Sequence, residues 1–118
     1  MTKPVWTVDQ WDAADAGERA QYLVLHNPQI RRLKLPHVEV VPPEILVEDV
    51  DASGDEFTCL GAEAMGFLTD PAQIRGRWHF IYTLCPLADS QGADNNVEVS
   101  AIAFADDRDQ IQFKLAWS

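Results

Sequence analysis

Apolar positions follow a helical period up to about residue 34, and beyond it they form short runs separated by turns. Three helix-start signals fall in the first part, two capping boxes and an Asn-Pro pair. They are Thr7 with Gln10, Asp15 with Glu18, and Asn27 with Pro28. This part therefore predicts two to three short helices, over about 8–14, 16–26 and 28–33.

The later apolar runs are typical of strands. The pattern predicts strands over about 44–50, from 57, over 77–84, over 97–104, and over 111–117, where apolar and polar residues alternate. Residues 35–43 indicate an extended connector, and 60–68 fits either a bulged strand or a short helix. The predicted fold is one α+β domain over 1–118, helical in 1–34 and mostly sheet in 44–118. Its helices would pack on one face of a roughly five-stranded, mainly antiparallel sheet.

The segment 75–87 is the longest apolar run, and both of its faces carry non-polar residues. Such a pattern predicts a central strand. Its even positions would build one side of the core; they are Trp78, Phe80, Tyr82 and Leu84.

The 118 residues carry a net charge of −10, which is unevenly distributed. Residues 1–34 hold five Lys or Arg against four carboxylates, whereas 35–118 hold four against fifteen, and 35–74 contain no Lys or Arg. Such a field repels nucleic acid and anionic membranes and would steer a basic protein partner toward the chain. We expect the partner-binding residues in and beside one turn: Glu48, Asp49, Asp51, Asp55 and Glu56.

The same turn begins with the spacing of a calcium-binding EF-hand loop. The pattern then fails, because Leu60 occupies the position where that loop needs a bidentate Glu, and no helix is predicted before the loop. A hairpin turn stabilised by aspartate side chains is the better interpretation. The two cysteines, Cys59 and Cys85, form no CxxC pair, so no metal site is predicted, and the sequence leaves open whether they pair.

A pocket between the helices and a curved sheet is the alternative site. Its candidate lining is Trp78, His79, Tyr82 and Cys85. His79 and Cys85 lie about 20 Å apart along one extended strand, so they cannot form a catalytic pair. No common catalytic motif is present, which favours a non-enzymatic protein while leaving an enzyme open, and no cofactor is predicted.

The order of elements resembles the cone-shaped α+β folds of the nuclear transport factor 2-like kind, which implies such a pocket and no specific residue. The leading hypothesis is a small acidic cytoplasmic interaction protein, of bacterial or phage origin and of the immunity, inhibitor or nucleic-acid-mimic type. Cytoplasmic placement is expected because no secretory signal or membrane-spanning run is recognisable. A homodimer through 111–117 is a further possibility.

Overall fold

Three short helices begin where the capping signals predict them. The computed structural model describes residues 5–89 and 91–117. The Thr7 hydroxyl accepts from the Gln10 N–H at 3.2 Å, while the Gln10 side chain accepts from the Thr7 N–H at 2.8 Å. Asp15 and Glu18 form the same reciprocal box, and Asn27 caps the third helix. These helices are α1 (Val8–Ala13), α2 (Ala16–His26) and α3 (Pro28–Leu33).

The rest of the chain alternates between strands and helices. The elements are β1 (His37–Val40), a 3-10 helix (Pro43–Ile45), β2 (Leu46–Val50), β3 (Glu56–Leu60), α4 (Ala62–Leu68), β4 (Trp78–Cys85), β5 (Val97–Phe104) and α5 (Asp107–Ala116). The strands of the described residues form an antiparallel three-stranded sheet, in the order β1-β5-β4, and an antiparallel β2-β3 hairpin. The α+β class and the antiparallel pairing are confirmed, but the strands do not form one five-stranded sheet.

The predicted last strand, 111–117, is wrong, because these residues form most of α5. Asp106 caps the helix by accepting from the Arg108 N–H at 2.9 Å, and Asp107 and Asp109 lie in its first turn, where carboxylates favour a helix. The apolar residues at every second position fit a helix as well as a strand, since residues four apart share a helix face. Phe113 is buried on one side, whereas Ile111 is exposed on another.

One further segment differs from its predicted structure, and one segment with an ambiguous pattern is now defined. The predicted connector 35–43 contains β1, whose partner β5 lies more than 55 residues further along the chain. The ambiguous segment 60–68 becomes the end of β3 followed by α4. Pro36 and Pro42 bracket β1, so the prolines that indicated a connector limit a short strand instead.

The central strand is β5 rather than β4. β5 pairs with β1 over 101–104 and with β4 over 97–104, whereas β4 is an edge strand of the described sheet. The prediction of a central strand at 75–87 is therefore wrong. Helices cover parts of both sheet faces, and this coverage makes an edge strand apolar on both sides.

Helices pack on both faces of the three-stranded sheet, not on one. The helix-side cluster joins α1–α3 to one face through buried residues that include Trp11, Tyr22, Leu23, Cys85, Val99, Ala101 and Ala103. The opposite cluster joins β3, α4 and α5 to the other face through Leu60, Ala64, Leu68, Ile102, Phe104 and Phe113, among others. Successive β5 residues thus belong to different clusters, as the alternation of a strand requires.

The opposite face is covered over only part of its length. Trp78 and Phe80 pack against the opposite cluster, which confirms their predicted place in the core. Tyr82 and Leu84 point from the same face of β4 and are 40% and 54% exposed, so their predicted core role is wrong. α4 and α5 end the coverage before these two residues are reached, and the hairpin lies near the uncovered part.

Candidate functional site

The five predicted partner-binding residues lie together on the β2-β3 hairpin. Glu48, Asp49, Asp51, Asp55 and Glu56 are all exposed. Glu48 pairs in register with Thr58, and Val50 pairs with Glu56. Glu48 and Glu56 consequently point from one face of the hairpin, while the three aspartates lie at and beside its turn.

Asp51 builds the turn rather than standing free at its tip. Its Oδ1 accepts from the Ser53 N–H at 2.8 Å and from the Asp55 N–H at 3.0 Å. Gly54 takes a φ of +87°, which a glycine adopts without strain. The hairpin turn stabilised by an aspartate is therefore confirmed. Asp89 and Gly92 build a second turn in the same way, with N–H groups of Gln91 and Ala93 on the Asp89 carboxylate.

A cleft separates the hairpin from the uncovered part of the sheet. We call it the acidic cleft; its volume is about 470 Å³. An adjoining hollow of about 440 Å³ extends it toward the hairpin turn. Both share Glu48, Thr58, Tyr82 and Glu98, and the cleft continues over Ser100 to an apolar end. That end is formed by Val40, Val41, Pro43, Leu46, Val47 and Val99, with Trp11 and Arg19 beside them.

Carboxylates dominate the polar end of the acidic cleft. The Tyr82 hydroxyl donates a short hydrogen bond to the Glu98 carboxylate. This bond is the largest cause that raises the pKa of Tyr82, and burial is the next. The Thr58 hydroxyl lowers this pKa, and the charges of Glu98 and Glu48 raise it by smaller amounts. Tyr82 therefore keeps its proton at neutral pH and acts as a hydrogen-bond donor.

Ser100 forms the bottom of the acidic cleft. It is 5% exposed and lies opposite Tyr82 in the sheet register. No hydrogen bond among the described residues involves its hydroxyl. No fully buried side-chain oxygen of these residues lacks a hydrogen-bond partner, so the Ser100 oxygen is not fully buried. The Ser100 hydroxyl is therefore an accessible donor and acceptor at the base of the cleft.

Arg19 is the one Lys or Arg among the described residues that line the cleft. Its guanidinium lies over the Trp11 ring, 5.1 Å from the ring centroid. Its Nε donates to the Trp11 carbonyl at 2.9 Å, and Nη2 donates to the Asp12 carbonyl at 3.3 Å. Arg19 thus caps the end of α1 and forms no salt bridge with the glutamates of the cleft.

The four residues of the alternative pocket lie in different places. Tyr82 lines the acidic cleft, whereas Trp78 packs in the opposite cluster and His79 is exposed on β4. Cys85 is fully buried in the helix-side cluster, where burial raises the pKa of its thiol to about 11. Cys59 is half-buried in β3, and both cysteines are free thiols.

Sequence reasoning missed Glu98, Ser100 and Thr58 as cleft residues. Glu98 and Ser100 carried a usable signal, because two polar residues at alternate positions of an otherwise apolar strand share one face. That face predicts an uncovered patch of sheet. The pairing of this patch with the hairpin is a long-range contact that no local pattern contains.

Neither a metal-binding cluster nor a membrane-spanning helix is found in the part of the chain that the structure describes. Within 5–89 and 91–117, no group of three or more His, Cys, Asp or Glu side chains is placed to hold a metal ion. No helix in the same ranges is long and apolar enough to cross a membrane. No protein-family model, curated protein or solved structure matches this chain significantly.

Proposed function

We propose that this protein is a small acidic interaction protein, of the immunity, inhibitor or nucleic-acid-mimic type, that presents its hairpin to a basic protein partner. The observation that carries the proposal is the uncompensated charge of the hairpin. Its five carboxylates are exposed, and none forms a salt bridge with a Lys or Arg of the described residues. Like charges held close together repel one another, and a cationic partner would relieve this repulsion and be steered toward it.

Apolar side chains among these carboxylates favour a protein as the partner. Val47, Val50 and Phe57 are exposed on the hairpin, beside the charged residues. A surface that only keeps a protein soluble needs no exposed aromatic ring there, whereas protein interfaces combine aromatic anchors with a polar rim. The hairpin therefore offers both steering charge and area for contact.

Asp49 and Asp55 are the best residues for a test, because Asp51 is needed for the turn. A variant with Asp49→Lys and Asp55→Lys reverses two charges of the hairpin. The matched control reverses Glu63 and Asp94, which are exposed and lie outside the hairpin. Both variants change the net charge equally, so any difference between them reports the location of the charge.

The experiment is affinity capture with the wild type and both variants, followed by calorimetry of each recovered protein at low and high salt. We expect basic proteins that the wild type and the control retain and the hairpin variant loses. Their affinity would fall at least tenfold between about 50 and 500 mM salt. Equal retention by both variants, or an affinity indifferent to salt, would rule out the proposal.

A small-molecule-binding protein or enzyme is the second candidate, and the volume of the acidic cleft favours it. The interface between α1–α3 and the sheet is filled by the helix-side cluster, so a ligand would bind in the cleft instead. Its size falls within the range of about 300–1,000 Å³ that is usual for ligand sites. A cytoplasmic location and a homodimer stay predictions.

A further inference from the structure

We infer that the acidic cleft binds an arginine side chain carried by an extended segment of the basic partner. This inference rests on the proposed function and adds the chemistry of the contact. The hairpin turn supplies charge for steering, whereas the cleft supplies shape and paired hydrogen-bonding groups. Glu48 and Glu56 take part in both roles, but Asp49 and Asp55 lie outside the cleft and Glu98 and Ser100 lie outside the hairpin, so the two roles can be separated by mutation.

The cleft favours a cation because its polar end holds negative charge without a counter-charge. Glu48, Glu56 and Glu98 lie around Tyr82 there, and the Tyr82 hydroxyl already donates its hydrogen bond to Glu98. Arg19 lines the same cleft, but its hydrogen bonds go to the carbonyl oxygens of Trp11 and Asp12 in α1. A cation entering beside Glu48 and Glu98 therefore meets two carboxylates with no salt-bridge partner among the described residues.

Ser100 adds to the cleft an unpartnered polar group that is independent of the carboxylates. The residue is more than nine-tenths buried, yet its hydroxyl opens to the cleft and has no hydrogen-bond partner among the described residues. A donor group entering the cleft would supply one, and a guanidinium carries five N–H donors.

Arginine fits this arrangement better than lysine. Its planar group can donate in two directions at once, toward a carboxylate and toward the Ser100 hydroxyl, and it stacks on an aromatic ring such as that of Tyr82. It is also less strongly hydrated than an ammonium group. A partly enclosed cleft with an apolar end therefore costs it less solvation.

The segment that carries the arginine would be extended and would bear an apolar neighbour. The acidic cleft and its adjoining hollow run from Phe57 and Glu56 to Val41 and Leu46. Its polar end and its apolar end are thus parts of one continuous groove. Side chains of an extended peptide leave the backbone in alternate directions, so an apolar residue two positions from the arginine would reach the apolar end.

The probe for the test is a capped peptide, acetyl-Gly-Leu-Ser-Arg-Gly-amide, with two matched relatives. One relative carries citrulline, which keeps the shape of arginine but has no charge, and the other carries lysine. Titration into ¹⁵N-labelled protein, followed by NMR, gives both the affinity and the residues whose signals shift. We expect shifts at Glu48, Tyr82, Glu98 and Ser100, at least about tenfold weaker binding of the citrulline peptide, and intermediate binding of the lysine peptide.

Glu98→Gln and Ser100→Ala test the cleft directly. We expect about tenfold weaker arginine-peptide binding for Glu98→Gln and about threefold for Ser100→Ala. Both changes are nearly isosteric, and the Ser100 hydroxyl has no protein partner to lose, so the folded spectrum should persist. Glu63→Gln, an exposed change outside the cleft, is the control and should bind as the wild type does.

The outcomes separate this inference from the proposed function. Equal binding of the arginine and citrulline peptides, or wild-type affinity of both cleft variants, would overturn the inference. The proposed function would still stand if the variant with Asp49→Lys and Asp55→Lys lost its captured partners. Equal binding of the lysine and arginine peptides would overturn the selection of arginine.

Discussion

The two halves of β4 have the same alternation of side chains, but other elements cover only one of them. Trp78 and Phe80 lie in the half that α4 and α5 cover, while Tyr82 and Leu84 lie in the half that faces the acidic cleft. The side chains of all four residues are large and mainly apolar. Alternation thus determines which face of the sheet a residue joins, but elements distant in sequence determine whether that face is buried.

The change along the sheet follows the polarity of β5. Ile102 and Phe104 lie opposite Phe80 and Trp78, whereas Ser100 lies opposite Tyr82. A polar cross-strand partner would be costly under a helix, because its hydroxyl would need a hydrogen bond. The open half therefore tolerates groups that the covered half does not, and this tolerance allows a cleft there.

The largest expected difference between the halves is in stability. Phe104 is fully buried, so Phe104→Ala should lower the free energy of unfolding by about 3–5 kcal/mol. Leu84→Ala removes a side chain that is 54% exposed, and its cost should be below about 1 kcal/mol. Urea denaturation followed by tryptophan fluorescence measures both. Similar losses would mean that the two halves are equally covered.

Asp109 holds the covered half together at the start of α5. Its carboxylate is 1% exposed and accepts from the Arg75 N–H at 3.1 Å and the Gly76 N–H at 2.7 Å. Asp109→Ala leaves two N–H groups without this acceptor, and we expect a loss of about 2–3 kcal/mol in unfolding free energy.

The control for this change is Asp107→Ala, in the same first turn but exposed. Its loss should stay below about 1 kcal/mol, the usual range for a carboxylate near a helix start. Thermal and urea unfolding of both variants give the comparison. An Asp109 variant as stable as the Asp107 variant would show that the turn at 75–76 does not depend on this side chain.

Elements whose signals are local could be predicted from the sequence. The capping boxes of α1 and α2 and the Asp51 turn are hydrogen bonds between residues at most four apart. Their donors and acceptors lie side by side in the sequence, so the pattern contains the whole interaction. The starts of the three N-terminal helices and the position of the hairpin followed from these signals.

Elements that depend on distant partners could not be predicted in the same way. β1 has four residues and exists because β5 pairs with it. The apolar spacing of α5 fits both a strand and a helix, and the Asp106 cap together with the carboxylates of the first turn favours the helix. Glu48 and Glu98 line the same acidic cleft although they lie fifty residues apart in the sequence. The sequence therefore indicated the acidic residues of the hairpin, but not the residues that line the cleft from the sheet.

Cys85 offers a test of the helix-side cluster through pH. Burial raises the pKa of its thiol from 9.0 to about 11 in the folded protein. The unfolded chain therefore loses this proton at lower pH than the folded chain. The resulting stability is fully present below about pH 9 and is lost as pH rises toward about 11, by at most about 1.4 kcal/mol per pH unit.

Urea denaturation at pH 8, 9 and 10 measures this loss, and Cys85→Ala is the variant that should reduce it. Tyr22 also has a pKa raised mainly by burial, so some loss above pH 10 should persist in that variant. Identical slopes for the wild type and Cys85→Ala would mean that the Cys85 thiol is not buried as described.

The smallest expected effects come from two glycines, one in α4 and one in the hairpin turn. An added Cβ would meet no atom within 4 Å at Gly66 or at Gly54. Gly66→Ala should raise the free energy of unfolding by about 0.5–1 kcal/mol, because alanine restricts the unfolded chain and favours the helix. Gly54 has a φ of +87°, so Gly54→Ala should lower it by about 1 kcal/mol. α4 belongs to the covered half, whereas the hairpin lines the cleft. Only Gly54→Ala should therefore also weaken the binding of the arginine peptide. A loss of peptide affinity in Gly66→Ala would show that the two halves are coupled.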